Sequence, residues 1–408
     1  MKLIFDDPTF SLQLLRAISE TYYKGADIGE CLSTAYRIKE SDFESWYNEW
    51  LKTAKRVHNY AQECLRNGHK VSARESFLRA SNYYRVAEFF IIDPQDARSV
   101  ETWKSSKECF RQAAQLFSPA FEPIQIPYEK TTLPGYFFKV DDYSTTEDEN
   151  EKQRPIVVVH GGFDSTLEEL YFSAAAPALE RGYNCLAFEG PGQGGVIRNQ
   201  KTPFRFDWEK VVTPVIDFLL NNKEEYCVDT QRIALMGISM GGYLAARAVA
   251  FEHRLSACIL YNGVYDGKEA LESSFPSPLL KAIDDGNEMV VNTVIEILME
   301  TDSNIKFNIK HGMWTFGIDS PYELVKNSSK FTLKEIAQNI RCPTLVLDAE
   351  KDDSFPGQPQ KVYDALTCPK KYILFTVEEG AEEHCQCGAP SLSNQRIFDW
   401  VDETLKNL

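Results

Sequence analysis

Two patterns of hydrophobic positions divide the chain near residue 120. Before that point, apolar residues recur every three or four positions, as in helices that pack through one face. Such runs cover residues 46–64, 77–91 and 100–117. Residues 41–44 and 72–75 have the form of capping boxes, which begin helices. We therefore predict that the first 120 or so residues are helical.

After residue 120, short and continuously apolar runs alternate with helical patterns. Parallel strands that are buried on both faces have this appearance. Two further runs, 124–128 and 133–140, are expected to pair at the sheet edge, and the acidic stretch 141–154 is expected to be a mobile loop. The pattern predicts an α/β fold with a mainly parallel, doubly wound sheet. Its parallel strands would be residues 156–159, 184–188, 233–236, 257–260, 344–347 and 372–375.

One connection is too long for a simple crossover. It separates the strand at 257–260 from the strand at 344–347 and carries a helical pattern at 289–299. We interpret it as a lid above the carboxyl edge of the sheet. The predicted organisation is a helical cap or dimerisation region at 1–120, an α/β core at 121–263 and 336–408, and a helical lid at 264–335.

Composition and charge narrow the classes of partner. The net charge of −16 argues against a phosphate-binding face, so nucleic acid is not expected. No apolar stretch approaches the ~20 residues that span a bilayer, and no secretory signal or membrane anchor is visible. The 10 cysteines are scattered, many within apolar runs, as in proteins with reduced thiols. We expect a cytoplasmic protein that binds a small-molecule substrate and no membrane.

The sequence Gly-Ile-Ser-Met-Gly at residues 237–241 is a nucleophile elbow. An apolar run at 232–236 precedes it and a small-residue run at 242–246 follows, which predicts the order strand, sharp turn, helix. Glycines are needed because side chains two residues from the serine would collide with neighbouring backbone. Ser239 is therefore the predicted nucleophile.

A serine hydroxyl needs a base, and the base needs an orienting acid. In an α/β-hydrolase the acid and then the histidine follow the serine in chain order. His384 lies in a polar loop after the last predicted strand, where this fold carries its catalytic histidine. His311, in the insertion, is the alternative.

The acid is expected in the loop after the preceding strand. Asp352 is our choice and Asp353 its rival, because Asp348 still belongs to the strand. A lone aspartate in a polar loop is more often a solvated turn residue, but here it lies between the elbow and His384.

Two backbone N–H groups are needed to stabilise the oxyanion. Met240 supplies one, because it follows the nucleophile. The other is assigned to Gly162 or Phe163, in the His-Gly-Gly segment after the strand at 156–159. His160 is interpreted as a residue that shapes this loop.

The segment 190–195 matches G-x-G-x-x-G, but no dinucleotide cofactor is expected. The motif requires a following helix, and residues 196–203 read as a polar loop that ends in proline. Glu189, beside these glycines, could line the substrate pocket or be structural. His384, Cys385 and Cys387 have no second ligand pair, so no metal is expected either.

Several segments together resemble one branch of the α/β-hydrolases. It includes 2,6-dihydroxypseudooxynicotine hydrolase and the fungal polyketide-shortening hydrolases of the yellowish-green pigment type. The resemblance runs from about residue 70 to the C-terminus. It is carried by residues 80–85 (Ala-Ser-Asn-Tyr-Tyr-Arg), 160–164 (His-Gly-Gly-Phe-Asp), 188–194 (Phe-Glu-Gly-Pro-Gly-Gln-Gly), 237–241, 355–358 (Phe-Pro-Gly-Gln) and 379–385 (Glu-Gly-Ala-Glu-Glu-His-Cys).

This resemblance implies a Ser-Asp-His site, a helical cap, a homodimer and cleavage of a carbon–carbon bond beside a ketone. It also implies an additional acidic group after the nucleophile strand, for which Asp266 and Glu269 are candidates. A carboxylesterase, lactonase or acyltransferase with the same triad is the alternative, and a non-catalytic scaffold is a third. Aromatic residues that could wall a flat, apolar polyketide-type product, or simply form core, are Trp314, Phe316, Tyr83 and Tyr84.

Overall fold

The computed structural model describes residues 1–141 and 153–406. Helices occupy the first part of the chain, as predicted, but the predicted helix starts are wrong. Asp42, not Ser41, caps the third helix and accepts a hydrogen bond from the Ser45 N–H. Ser72 lies inside the fourth helix. The helices are α1 (Pro8–Ser19), α2 (Ile28–Ala35), α3 (Phe43–Arg66), α4 (Lys70–Glu88) and α5 (Ala97–Ala114), with a 3-10 turn at Glu20–Tyr23.

The described residues form an eight-stranded sheet in the order β1-β2-β4-β3-β5-β6-β7-β8. The pair β1 and β2 is antiparallel at one edge, as predicted, and from β4 onward neighbouring strands are parallel. Most of the predicted loop at 141–154 lies outside the described residues, and Arg154 already belongs to β3. The strands are β1 (Glu122–Tyr128), β2 (Thr131–Phe138), β3 (Arg154–His160), β4 (Asn184–Phe188), β5 (Val228–Ile238), β6 (Ala257–Tyr261), β7 (Thr344–Ala349) and β8 (Lys370–Phe375).

Further helices connect the strands, fill the long interval between β6 and β7, and follow β8. They are α6 (Ala176–Glu180), α7 (Glu209–Asn221), α8 (Gly241–Val249), α9 (Gly267–Glu272), α10 (Ser277–Asp284), α11 (Glu288–Thr301), α12 (Ser303–Phe316), α13 (Pro321–Ser328), α14 (Gln358–Ala365) and α15 (Pro390–Leu405). Short π turns at Tyr171–Ala175 and Val196–Gln200 and 3-10 turns at Ala337–Asn339 and His384–Gln386 complete the set.

The helical turn at Val196–Gln200 replaces the polar loop predicted there. Val196 and Ile197 are buried, and Arg198 forms a buried ion pair of 2.6 Å with Glu88 of α4. Helix α4 thus supplies the partner that makes a charged residue acceptable inside the protein. This contact is invisible in the local sequence, which is why the prediction is wrong.

The N-terminal helices pack on one face of the sheet. Phe110 of α5, for example, contacts Tyr136 of β2, with ring centroids 5.1 Å apart. On the other face, Trp208 and Tyr243 are fully buried among the side chains of the neighbouring helices. The inserted helices have a small core of their own, which includes Phe275, Leu279, Val291, Ile295 and Leu324.

The carboxyl ends of the central parallel strands meet at one edge of the sheet. The N-terminal helices and the inserted helices α9–α13 both reach this edge. In open parallel α/β sheets this is the edge that carries ligand sites. Within the described residues, no helix combines the length and the apolar character needed to cross a bilayer.

Candidate active site

Ser239 lies in the sharp turn between β5 and α8. Its backbone has a φ of +61°, a left-handed conformation that is strained for a residue other than glycine. Its N–H donates to the carbonyl of Tyr261 at 2.8 Å, which fixes the turn. A Cβ atom at Gly237 would overlap the carbonyl of Gly241. Gly237 is therefore required by the close approach of strand and helix, and Gly241 by the close approach of the Gly161 carbonyl.

His384 lies against Ser239, although 145 residues separate them in the chain. Its Nε2 is 2.8 Å from the Ser239 Oγ. Its Nδ1 is 3.0 and 2.9 Å from the two carboxylate oxygens of Asp352, which lies in the loop after β7. The three side chains form one continuous hydrogen-bonded series. The other two candidate acids do not contact His384. Asp353 lines the cavity that opens at Ser239, and Asp348 accepts a hydrogen bond from the Tyr372 hydroxyl at 2.6 Å.

Asp352 is buried, and several donors hold its carboxylate in place. The backbone N–H of Ser354 donates to it at 2.9 Å and that of Phe355 at 3.4 Å. The Asn262 side-chain amide donates a further, short hydrogen bond. Asn262 was not predicted from the sequence. The available signal was its place directly after β6, at the edge where Ser239 and Asp352 also lie.

The pKa values of the two ionisable partners move in the directions expected of an ion pair. Burial raises the pKa of Asp352, but His384 and the two backbone donors outweigh it, so the net pKa is lowered. Burial lowers the pKa of His384, but the Asp352 carboxylate and the Cys385 sulfur outweigh it, so the net pKa is raised well above its ordinary value. Cys385 was not predicted; its Sγ is 3.4 Å from His384 Nε2.

Two loops bring backbone N–H groups beside Ser239. Among the described residues, no hydrogen bond uses the N–H of Phe163 or of Met240, and both residues line the cavity at Ser239. The Gly162 N–H faces Ser165 Oγ at 3.4 Å. Gly162 has a packing role as well, because a Cβ atom there would lie 2.7 Å from the Met240 nitrogen. Of the two predicted alternatives, Phe163 has the free donor.

His311 is not in contact with Ser239. Its Nε2 is 3.0 Å from the Phe163 carbonyl, so a proton on that nitrogen would be donated to the Phe163 loop. Its ring stacks on Phe307 at 5.1 Å. His160 is fully buried and its Nδ1 is 2.9 Å from the Gly161 carbonyl; burial lowers its pKa to about 4. Both histidines hold the loop that carries Phe163.

A cavity of about 840 Å³ opens at Ser239 and His384. Helix α1 and the loop before α5 contribute Arg16 and Phe89, and the inserted helices contribute Phe307 and Phe316. All the major parts of the chain therefore form its walls. Most ligand cavities combine such apolar walls with a few polar groups.

Three residues that the sequence suggested for substrate binding, Glu189, Asp266 and Trp314, do not line this cavity. Glu189 is buried and accepts hydrogen bonds from the N–H groups of Leu167 and Gly195, each at 2.7 Å. Asp266 caps α9 and forms an ion pair of 2.8 Å with Lys334. Trp314 packs under the guanidinium of Arg198, 5.1 Å from its ring centroid.

Of the remaining candidate residues, one lines the cavity and the others do not. Phe316 lines the cavity, whereas Tyr83 and Tyr84 lie in the core of the N-terminal helices. Glu269 forms an exposed ion pair with Lys361. Within residues 1–141 and 153–406, no group of three or more His, Cys, Asp or Glu side chains is arranged to hold a metal ion, and the cysteines there are unpaired.

Two family models match the chain. An alpha/beta hydrolase family model matches residues 156–381, and an esterase FrsA-like model matches residues 29–266. Among solved structures, the 2,6-dihydroxy-pseudo-oxynicotine hydrolase superposes with a TM-score of 0.73 at 21% identity, covering 95% of each chain. A structure of AbyA5 superposes with a TM-score of 0.60 at 16% identity, covering 96% of this chain and 99% of that one. These likenesses establish the fold.

Curated relatives match over nearly the whole chain. The 20-hydroxy-prefusarin hydrolase FUS2 of Gibberella moniliformis is 34% identical, covering 99% of this chain and 98% of the relative. Hydrolase acrC of Aspergillus aculeatus is 32% identical, covering 97% and 96%. Alpha/beta hydrolase psoB of Aspergillus fumigatus is 33% identical, covering 98% and 94%. With this fold and these relatives, the chain belongs to the α/β-hydrolase family and is a hydrolytic enzyme.

Proposed function

We propose that this chain is a serine hydrolase in which Ser239 is the nucleophile, His384 the base and Asp352 the orienting acid. The observation that carries the proposal is the hydrogen-bonded series from Asp352 through His384 to Ser239, at the mouth of a cavity large enough for a drug-sized molecule. A serine hydroxyl becomes nucleophilic when a base accepts its proton in this geometry.

The first half of the reaction follows from these positions. His384 Nε2 accepts the Ser239 proton while Oγ bonds to a substrate carbonyl carbon. The carbonyl π electrons move to oxygen, and the N–H groups of Met240 and Phe163 stabilise the resulting oxyanion. Asp352 keeps the imidazole oriented and stabilises the imidazolium.

The bond proposed to break is a carbon–carbon bond adjacent to a ketone in a β-dicarbonyl or aryl-ketone substrate. When the tetrahedral adduct collapses, the electron pair of that bond leaves on carbon as an enolate, which takes the proton from His384. A 1,3-dicarbonyl suits this step because the departing charge is delocalised. Water, activated by His384, then attacks the acyl-enzyme and releases a carboxylic acid.

The substrate class is proposed to be polyketide-like. Support comes from the resemblance of six sequence segments to polyketide-shortening hydrolases and from the relative whose name gives 20-hydroxy-prefusarin as its substrate. The mixed walls of the cavity, with Phe89, Phe307 and Phe316 facing it, suit a large and partly apolar molecule.

Ester cleavage is the second candidate, as a carboxylesterase, lactonase or acyltransferase. The match of the esterase FrsA-like model to residues 29–266 favours it. The same residues would act, and an alkoxide would leave in place of the enolate. The third alternative, a non-catalytic scaffold, does not agree with the hydrolase relatives.

Product analysis separates the two reactions. The purified protein is incubated with an acylated polyhydroxynaphthalene and, separately, with the ester of the same acyl group. The proposal expects deacylated naphthol and free acid from the ketone, with none from Ser239→Ala. If the protein hydrolysed the ester and left the ketone intact, the activity would be that of an esterase and the proposal of carbon–carbon cleavage would be wrong.

A further inference from the structure

The cavity at Ser239 has a second group of polar side chains that the proposed reaction does not use. Its members are Glu20, at the end of α1, Gln386, in the loop after His384, and Asn394, in α15. All three line the same cavity as Ser239 and His384. They come from opposite ends of the chain, so only the fold brings them to one cavity.

Two of these side chains are buried without partners. Gln386 is 1% exposed, and neither its amide oxygen nor its amide nitrogen has a hydrogen-bond partner. Asn394 is 3% exposed, and its Nδ2 has none. A buried and unsatisfied polar group destabilises the folded protein. Both residues line the cavity, and a ligand that supplied the missing donor or acceptor would satisfy these amides.

The backbone holds Gln386 in a strained conformation. Its φ is +47°, and that of Cys385 before it is +51°. Two consecutive left-handed residues that are not glycine are costly, and such strain persists where the surroundings fix it. The position of Gln386, two residues after His384, is thus set together with that of the histidine.

Hydrogen bonds fix the elements that carry these residues. The Gly388 N–H donates to Ser19 Oγ at 2.6 Å, which joins the Gln386 loop to the end of α1. The Tyr261 hydroxyl donates to Ser393 Oγ at 2.9 Å, which joins α15 to the end of β6. The polar group is therefore preorganised.

The charges around Glu20 balance. Arg16 forms hydrogen bonds with Glu169 and Asp164, and the Arg85 guanidinium is 3.5 Å from Glu169. Two cations thus face two anions. Burial and the nearby charge of Glu169 raise the pKa of Glu20 to about 8, so Glu20 is mostly neutral near pH 7. A neutral carboxyl group both donates and accepts hydrogen bonds.

We propose that Glu20, Gln386 and Asn394 form a subsite that binds a neutral oxygen group, a hydroxyl or a ketone carbonyl, of the substrate attacked at Ser239. The inference rests on the proposed function and adds a specificity determinant to it. The lack of net charge disfavours a carboxylate or an ammonium group at this position. The amides and the carboxyl group together supply donors and acceptors for a hydroxyl.

Labelling of Ser239 tests the subsite without knowledge of the natural substrate. The probes are alkyl fluorophosphonates of graded chain length and matched analogues that carry a terminal hydroxyl or a terminal carboxylate. The quantity compared is the ratio of second-order labelling rates, hydroxyl over alkyl, at each length. At the chain length whose end reaches the subsite, one hydrogen bond to a neutral partner should make the hydroxyl probe react up to about tenfold faster than the alkyl probe. The carboxylate probe should be slower than the hydroxyl probe at that length.

Variants assign the preference to residues. In Gln386→Leu, and independently in Asn394→Leu, the ratio should fall towards one; a general loss of reactivity cancels in the ratio. Gln231→Leu, an exposed position at the opposite end of β5, is the matched control and should keep the wild-type ratio.

The outcomes separate this inference from the proposed function. Wild-type labelling at a ratio near one for every length would overturn the subsite, leave Ser239 as nucleophile and assign the orphaned amides to water. A hydroxyl-over-alkyl ratio that stays at the wild-type value in both Gln386→Leu and Asn394→Leu would show that these two residues do not form the subsite. Absence of labelling with every probe would overturn the proposed function and the subsite with it.

Discussion

Arg16 and Glu169 are 153 positions apart in the chain and are joined by two hydrogen bonds of 2.6 Å, one to each carboxylate oxygen. Arg16 also donates to Asp164 at 3.2 Å. Asp164 follows Phe163, whose free N–H lies at the cavity. Helix α1 therefore fixes the loop that carries a proposed oxyanion donor, which gives the N-terminal helices a part in forming the site.

Replacing Arg16 by methionine should lower the free energy of unfolding by about 3–5 kcal/mol, because Glu169 loses its bidentate partner inside the protein. Arg37→Met is the matched control. Arg37 forms a 2.6 Å ion pair with Glu49 but is 39% exposed, so its loss should cost less than about 1 kcal/mol. Urea denaturation of the two variants measures the difference. Equal losses would contradict the buried role of Arg16.

Asp352→Asn should reduce kcat by about 10³–10⁴-fold, because the amide can no longer hold the imidazole in the reactive orientation. Asp353→Asn, one position away and without contact to His384, should change kcat by only a few-fold. Steady-state kinetics on any turned-over ester or ketone measures both. A larger loss in Asp353→Asn than in Asp352→Asn would move the acid by one residue.

The activity should fall at low pH because of the protonation of His384. His384 must be neutral to accept the Ser239 proton, so activity falls as the pH drops below its pKa. That pKa is raised because the Asp352 carboxylate outweighs burial, which places the acid limb above pH 6.5. In Asp352→Asn the limb should move to lower pH. The profile of kcat/KM reports these values for the free enzyme. A limb that stays in place in the variant would argue against the pairing.

Asn262→Gly removes the amide donor to Asp352 and leaves a residue that tolerates the φ of +72° found there. A hydrogen bond to a charged group is worth about 1.5–3 kcal/mol, so kcat should fall about 10- to 100-fold. Asp352 also becomes more basic and holds the His384 proton more firmly. The acid limb should therefore shift to higher pH. A loss of stability with an unshifted limb would leave Asn262 a merely structural residue.

Much of the fold and the centre of the site could be predicted because their signals are local. Each buried strand is an uninterrupted apolar run, and the elbow around Ser239 is a short motif with a strand before it and a helix after it. His384 and Asp352 could be placed by chain order, since each follows a predicted strand whose carboxyl end reaches the same edge of the sheet.

The misplaced residues are those whose roles depend on distant partners. From the sequence, Glu189 could line the pocket, but in the structure its carboxylate accepts hydrogen bonds from the backbone N–H groups of Leu167 and Gly195. Ser72 has the form of a cap, yet α4 begins before it. Asn262 and Gln386 carry no local pattern. Their importance arises from contacts or cavities that form only when remote segments meet.

Mass spectrometry of the intact protein after treatment with a fluorophosphonate tests the central claim most directly. The account predicts a single adduct on Ser239, absent in Ser239→Ala and formed far more slowly in His384→Ala. His253→Ala, at an exposed position after α8, should label like the wild type. An adduct that persists in Ser239→Ala, or labelling of His384→Ala at the wild-type rate, would contradict the account.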